Sequence, residues 1–424
     1  VQSPNLDAFA AEGTRFAHSF CTAPQCSPSR ASLFTGRYPH NNGVMGLTHL
    51  KLGWRLHDDE VHLGQVLKAA GYRTAAIGII HETHTEWKRC GYQEYHGGGK
   101  ALQAADNACE LLPDLAAEDK PFYLSVGFIE PHKLPYDGVE GWLPGEHSYP
   151  GPYLEADDEL GVDIPPYIAD TKGARQEIAG LQGAVKHVDA QFGRILAKVR
   201  DLGLLENTVV VFTTDHGVAL PRAKCSLYDA GTNVALIVRA PDPAWRQGTV
   251  HEELVSNIDV MPTLLELLDQ HVPDAVQGRS FVPLVEGGTY EKNEQVFTEL
   301  TYHTYYDPIR SVRTDRYKLI ASFSSAPRFM EPGQRRRPLT HPWYAVTEGV
   351  RGFHWDFELY DLQEDPAEKH DLSENESLAD IRKDLMRRLY AHMVSTDDPL
   401  LRGAVPNPQH ERVLASLKAE AGTC

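Results

Sequence analysis

The chain has 424 residues, 42% of them hydrophobic, and 41 Lys and Arg against 59 Asp and Glu give a formal net charge of −18. That length holds two or three domains, or one large domain with an appendage, around a sizeable core. The acidic balance argues against nonspecific binding to nucleic acid or to a polyanion over the whole surface, and no apolar run approaches the ~20 residues of a membrane span.

In chain order, Ser3 and Pro4 open a helix that runs to about Ala11 and ends at Gly13. Residues 26 to 37 then read Cys-Ser-Pro-Ser-Arg-Ala-Ser-Leu-Phe-Thr-Gly-Arg. Ser27 is expected to cap a short helix, with Pro28 in its first turn, Ala31 to Phe34 as its body and Gly36 as its stop. Cys26 then lies at the positive end of a helix dipole with Arg30 one turn on, an anion site in which a thiol ionises easily. An ordinary thiol on a capped helix is the plainer reading of the same residues.

Leu63 to Ala70 reads as a helix closed by Gly71, Arg73 to Gly78 as a strand, and Asn107 to Ala117 as a helix. The apolar run from Pro121 to Phe128 suits a strand buried on both faces. Residues 133 to 172, rich in Pro, Gly, Tyr and Asp, read as a long irregular loop that shapes a pocket. The clearest helix covers about Gly173 to Leu202, where Ile178, Leu181, Val185, Val188, Phe192, Ile195 and Val199 step by three and four. Thr208 to Thr213 and Val234 to Val238 follow as strands. Strand and helix alternate, which predicts an α/β fold: a large, mostly parallel sheet flanked by helices, with ligands beyond the C-terminal strand ends. Leu254 to Leu268 is helical, with a start or kink near Met261 imposed by Pro262. Gln277 to Leu284 reads as a linker. Beyond it, short strands at Val296–Glu299, Ile309–Thr314, Tyr317–Phe323 and Glu358–Tyr360 precede a last amphipathic helix, about Leu378 to Met393. The expected division is 1–284 for the α/β domain and 285–424 for a smaller C-terminal unit with an antiparallel sheet and one helix.

The residues that follow the strands are the ones to weigh. Asp215-His216-Gly217 follows Thr208–Thr213, His81 follows Arg73–Gly78, His132 follows the 121–128 run, and Lys224 lies in the loop after Asp215. Singly, each is ordinary loop chemistry, satisfied by hydrogen bonds or solvent. At one sheet edge they become a set: a carboxylate and an imidazole able to ligate a metal, and two imidazoles that titrate near working pH. The six cysteines, Cys21, Cys26, Cys90, Cys109, Cys225 and Cys424, show no CxxC spacing, so a zinc site is not expected, and their number leaves one bridged pair open. The chain shows no signal peptide but begins at Val1 rather than Met, so compartment stays undecided, as does oligomeric state.

The run from Cys26 to Arg37, with Ser3-Pro4-Asn5-Leu6-Asp7 before it and Tyr38-Pro39-His40-Asn41-Asn42-Gly43 after it, resembles the signature of the type I sulfatases of the alkaline phosphatase superfamily. The Cys-Ser-Pro-Ser-Arg-Ala-Ser pattern, with Asn42-Gly43 and Gly46-Leu47, is most similar to the heparan N-sulfatase (sulfamidase) branch. Arg310-Ser-Val-Arg-Thr-Asp-Arg-Tyr-Lys-Leu-Ile320 and Glu358-Leu-Tyr-Asp-Leu362 resemble that family's C-terminal subdomain. The resemblance implies that a formylglycine-generating enzyme converts Cys26 to an aldehyde whose hydrate attacks sulfur, and that Arg30 stabilises it. It implies that His81 contacts the hydrate and that His132 binds sulfate and protonates the leaving group. Lys224 would hold sulfate, and Asp215, His216 and position 26 would face one divalent ion. Oxygen ligands suit Ca2+, and the histidine leaves Mn2+ open. The implied substrate is a small sulfate ester or sulfamate on a carbohydrate, with Tyr302, His303, Tyr305 and Tyr306 as candidate sugar contacts or as packing.

Two departures stand out. The family's Gly-Lys-x-His is Gly78-Ile79-Ile80-His81 here, which removes one cation that His84, Lys88 or Arg89 would have to replace. The family also opens with an apolar strand ending in paired aspartate ligands, and this chain begins just downstream of it. A parallel sheet without an inner strand leaves unpaired backbone groups, so truncation of the given chain is the expectation, ahead of a natural two-ligand site. The rival functions are a phosphate or phosphonate monoester hydrolase of the same superfamily and a degenerate, non-catalytic binder of sulfated sugars.

Overall fold

The computed structural model of the protein describes residues 1–49, 52–135, 147–149, 154–303, 305–326 and 353–421. Among the described residues its α/β part carries two larger sheets and two two-stranded pairings, Ser19–Phe20 with Val255–Ser256 and Leu134–Pro135 with His147–Ser148. One of the larger sheets is parallel, ordered Glu94–His96, Arg73–Gly78, Phe122–Gly127. The other is mixed, ordered Thr249–His251, Thr14–Phe16, Leu236–Arg239, Val210–Thr213. Thr249–His251 runs parallel to its neighbour, whereas the other two pairings are antiparallel.

The strands Phe122–Gly127 and Val210–Thr213 are each an edge of their sheet, and both line a cleft of about 1630 Å³. Phe192, Ile195 and Val199 of the long helix Lys172–Asp201 reach the cleft, as do Leu63, Leu67 and Leu264.

Local chemistry explains where the elements begin. Thr171 opens the long helix by accepting the Ala174 N–H at 3.1 Å, and its buried stripe includes Ile178, Val188, Leu196 and Val199. Ser3 does not cap the first helix, Pro4–Ala11, with its side chain. The buried carboxylate of Asp189 does so instead, accepting the N–H groups of Asn5 at 3.2 Å and Leu6 at 2.7 Å. Ser27 likewise is not the cap of the signature helix, which runs Cys26–Thr35 from Gln25. Its buried hydroxyl accepts the Thr48 N–H at 3.2 Å and so pins the neighbouring loop. Gly36 ends that helix in the left-handed region at φ 65°.

The strand Arg73–Gly78 lies where its sequence places it. The helix expected over Leu254–Leu268 starts only at Val260, after a short strand Val255–Ser256 and a 3-10 turn Asn257–Asp259, so Pro262 falls in a first turn that needs no donor. Part of the linker folds as the helix Val282–Glu286. Of the long loop, residues 136–146 and 150–153 lie outside the described residues, as does Cys424. The cysteines Cys21, Cys26, Cys90, Cys109 and Cys225 are free thiols. No described helix is long and apolar enough to cross a membrane.

The C-terminal part is a four-stranded antiparallel sheet, Gln295–Tyr302, Tyr306–Thr314, Tyr317–Ser322 and Phe357–Asp361, in chain order. The helix Ala379–Ser395 covers it by packing Leu385, Leu389 and Met393 on Val312, Leu319 and Leu359.

Candidate active site

Cys26, Arg30, His81, His132, Asp215, His216 and Lys224 come from four separate stretches of chain, and all of them line the same cleft. The fold collects them through strand ends and tight backbone approaches. The strand Arg73–Gly78 leaves its sheet at Gly78 with φ +76°, where a Cβ would lie 2.1 Å from the Gly127 carbonyl oxygen. Only glycine fits there, and the chain then delivers His81. A Cβ on Gly217 would meet the Ala230 carbonyl at 1.9 Å, and that close approach folds the loop carrying Asp215 and His216 onto the loop that follows Lys224.

Cys26 is the centre of the group. Its Sγ lies 3.3 Å from His216 Nε2 and accepts from Lys224 Nζ at 3.6 Å. Burial pushes a thiol up, but here the charges of Lys224 and His216 and hydrogen bonds from His132 and His216 outweigh it and hold the Cys26 thiol well below its ordinary value. His216 is raised in turn: burial works against its charge, while Asp215 and Cys26 favour it. Its Nδ1–H donates to the Gly217 carbonyl at 2.7 Å, which turns Nε2 toward the thiol. In His132, Nδ1–H donates to the Lys133 carbonyl at 2.7 Å, leaving Nε2 to accept from Lys224 Nζ at 3.0 Å. Ser29 Oγ donates to the backbone carbonyl of Asp215 and ties that loop to the signature helix.

Arg30 does not point at the thiol with all of its donors. Its Nη2 donates to the Ile79 carbonyl at 2.9 Å and its Nε to Glu82 Oε2 at 3.2 Å. His81 stands beside His49, with Nε2 to Nε2 at 3.1 Å and ring centroids 4.5 Å apart. Burial and the neighbouring His81 push His49 down. Ile79 packs toward Gly99, whose Cβ would lie 2.4 Å from Ile79 Cδ1. Of the residues considered as replacements for a lysine there, His84 lines the cleft, while Arg89 pairs with Asp58 and Glu86 instead.

His49 and Glu82 carry no sequence signal for this centre, and His303, a candidate sugar contact, lies close enough to feel its charges. His49 precedes the two residues left undescribed at 50–51 and belongs to no motif, so only the tertiary fold reveals it. His303 is pushed down to about 3 by burial and then by the nearby charges of Lys224, His216 and His132. Tyr302, His303, Tyr305 and Tyr306 line a smaller cavity of about 370 Å³ with Trp54 and Val405. There the Tyr302 hydroxyl donates to the Val405 carbonyl at 2.6 Å, and the Tyr306 hydroxyl accepts the Val405 N–H at 3.1 Å.

Such a pocket suits a small oxyanion, and comparison places the chain among hydrolases that remove one from an ester. The chain belongs to the sulfatase family, whose model matches residues 1–270. A second model, for the C-terminal part of N-sulphoglucosamine sulphohydrolase, matches residues 222–331. Human N-sulphoglucosamine sulphohydrolase is 29% identical over 94% of this chain and 86% of its own length. An ulvan-active sulfatase from Formosa agariphila is 27% identical over 96% of this chain and 78% of its own. A solved structure described as a complex with its substrate D-glucosamine-2-N,6-O-disulfate shares the fold, with a TM-score of 0.67 and 19% identity over 94% of each chain.

Proposed function

We propose that the protein hydrolyses a sulfate ester or sulfamate on a sulfated sugar, with Cys26 as the precursor of a formylglycine nucleophile. The observation that carries this reading is the convergence of Lys224, His216 and His132 on Cys26 at the head of its helix. The Cys26 Sγ stands in for the hydroxyl that a formylglycine hydrate would present at the same place.

A divalent cation fits this donor set in part. One ligand atom each from Cys26, Asp215 and His216 lies within 4.8 Å of the others, and Asp215 Oδ1 is 3.6 Å from His216 Nε2. Asp215 and His216 would hold the ion, with Ca2+ favoured by the carboxylate and Mn2+ admitted by the imidazole. When bound, the ion would supply charge to neutralise a sulfate oxygen.

The chain's own groups divide the remaining work. Lys224 Nζ, between Cys26 and His132, meets the anionic oxygens. The N–H groups at the start of the Cys26–Thr35 helix face the same charge. With Nδ1–H held on the Lys133 carbonyl, His132 Nε2 can give a proton to the leaving oxygen or nitrogen only as the imidazolium, the form that no longer accepts from Lys224. His81 moves a proton at the nucleophile, with His49 behind it. The relatives' names favour a sulfated amino sugar or polysaccharide fragment. Parallel assays with aryl sulfate, a sulfamate sugar, aryl phosphate and a phosphonate ester test the reading in the full-length protein. Intact mass should show Cys26 lighter than a thiol, and sulfate release should vanish in Cys26→Ala. Undiminished turnover in Cys26→Ala, or a preference for the phosphorus esters, overturns it.

A further inference from the structure

Behind the active site lies a buried carboxylate that the mechanism above does not use. Glu82 is 1% exposed. One oxygen of it, Oε2, accepts from two residues of the site at once: Arg30 Nε at 3.2 Å and the backbone N–H of His81 at 3.0 Å. Arg30 Nη2 completes the fork on the Ile79 carbonyl at 2.9 Å. The guanidinium is thus fixed at two of its nitrogens on the segment that carries His81. The other oxygen, Oε1, makes no hydrogen bond and faces His62 Nε2 at 3.8 Å. His62 in turn accepts the Gly64 N–H on Nδ1 at 3.0 Å, so the proton of its neutral ring is on the nitrogen nearest Glu82. The Cys90 thiol completes this buried group.

A buried ion pair is weak evidence for stability, because a well-packed apolar pair does as well or better in its place. What a carboxylate supplies and an apolar residue does not is direction. Burial works against the charge of Glu82, yet Arg30 and His62 hold it down at about 2, so it is ionised throughout the working range.

We propose that Glu82 is a positioning residue of the reaction, which aims Arg30 and sets the His81 backbone through one carboxylate oxygen. The proposal rests on the functional reading above only in assigning Arg30 and His81 to the sulfate site. The second anchor of Arg30 is the Ile79 backbone carbonyl, while the Ile79 side chain lies against Gly99.

The test compares Glu82→Gln, which keeps an acceptor oxygen, with Glu82→Leu, which keeps neither acceptor nor charge, in the wild-type and Arg30→Lys backgrounds. The expected result is a kcat that falls about tenfold in Glu82→Gln and about a hundredfold in Glu82→Leu, without a rise in KM, because Arg30 keeps its charge and loses its aim. In the Arg30→Lys background the two changes should each cost less than about threefold, since the fork they support is already gone. The melting temperature of each variant is measured alongside. Equal losses in both backgrounds, or full kcat in Glu82→Leu, overturn the proposal. So does one equivalent of zinc in the purified protein that is lost in Cys90→Ala, since the cluster would then be a metal site. If the wild type turns over no sulfate compound, the functional reading fails separately. Non-additive melting temperatures of the Arg30 and Glu82 variants would then still report the pair, and additive ones would dismiss it.

Discussion

The C-terminal sheet and the α/β core treat their charges and strand edges in opposite ways. In the C-terminal sheet, four strands pair in unbroken antiparallel order and a helix covers them. Arg310, 2% exposed, forks onto Asp398 with Nε at 2.6 Å and Nη2 at 3.1 Å, and its Nη1 donates to the Leu300 carbonyl at 2.9 Å. In the α/β core, two strand edges face an open cleft, and Lys224, His132 and His216 crowd one thiol. The C-terminal sheet closes its buried charge in one ion pair, whereas the α/β core gathers several charges around one thiol.

The comparison breaks most sharply at Cys26. Its replacement by Ala should lower sulfate release at least about a thousandfold with little change in melting temperature, since one small buried side chain replaces another. The mirror experiment is Asp398→Asn, which strands the Arg310 charge and should cost about 3–5 kcal/mol in urea unfolding. Activity per folded molecule should survive it, and a selective loss of turnover would mean that the two regions are not separable in this way.

Smaller effects sharpen the picture. Asp215→Ala should weaken Ca2+ or Mn2+ binding about ten- to a hundredfold by calorimetry, and unchanged affinity would remove the carboxylate from the metal set. In protein whose Cys26 is still a thiol, alkylation should be faster at neutral pH than that of an ordinary cysteine, because Lys224 and His216 hold the thiol well below its usual value. Lys224→Met removes the first of the charges that lower it, so the rate profile should move to higher pH. An unshifted profile argues against that electrostatic account. The least change is expected from Tyr302→Phe, which removes one hydrogen bond to Val405 and should cost about 1 kcal/mol.

Much of this was legible in the sequence because the signals were local. The three-and-four stepping of apolar residues along Lys172–Asp201 announces a helix, and the short apolar run at Phe122–Gly127 announces a strand by its length and composition. Thr14–Phe16, Glu94–His96 and Thr249–His251 are three residues each, too short to show a period. Strand-end position marked His81, His132 and Asp215. Glu82 and His49 had no such mark. Their partners, Arg30 and His81, lie 52 and 32 residues away, and a pairing at that range is written in the fold rather than in the neighbourhood. The misplaced caps at Ser3 and Ser27 have the same origin, since Asp189 and Thr48 compete for those groups from elsewhere in the chain.

Lys318 joins the two regions. From the C-terminal sheet its Nζ reaches the Leu227 carbonyl at 3.1 Å and Asp229 at 2.5 Å, both a few residues beyond Lys224, and Glu368 of its own region at 2.8 Å. The order of synthesis gives this contact a temporal meaning. A ribosome makes Cys26 198 residues before Lys224, and the lysine that steadies that loop comes later still. The pocket therefore closes last. Until then the thiol at position 26 is open to whatever reaches it on the growing chain, and the finished molecule holds that residue at the head of its helix in the cleft.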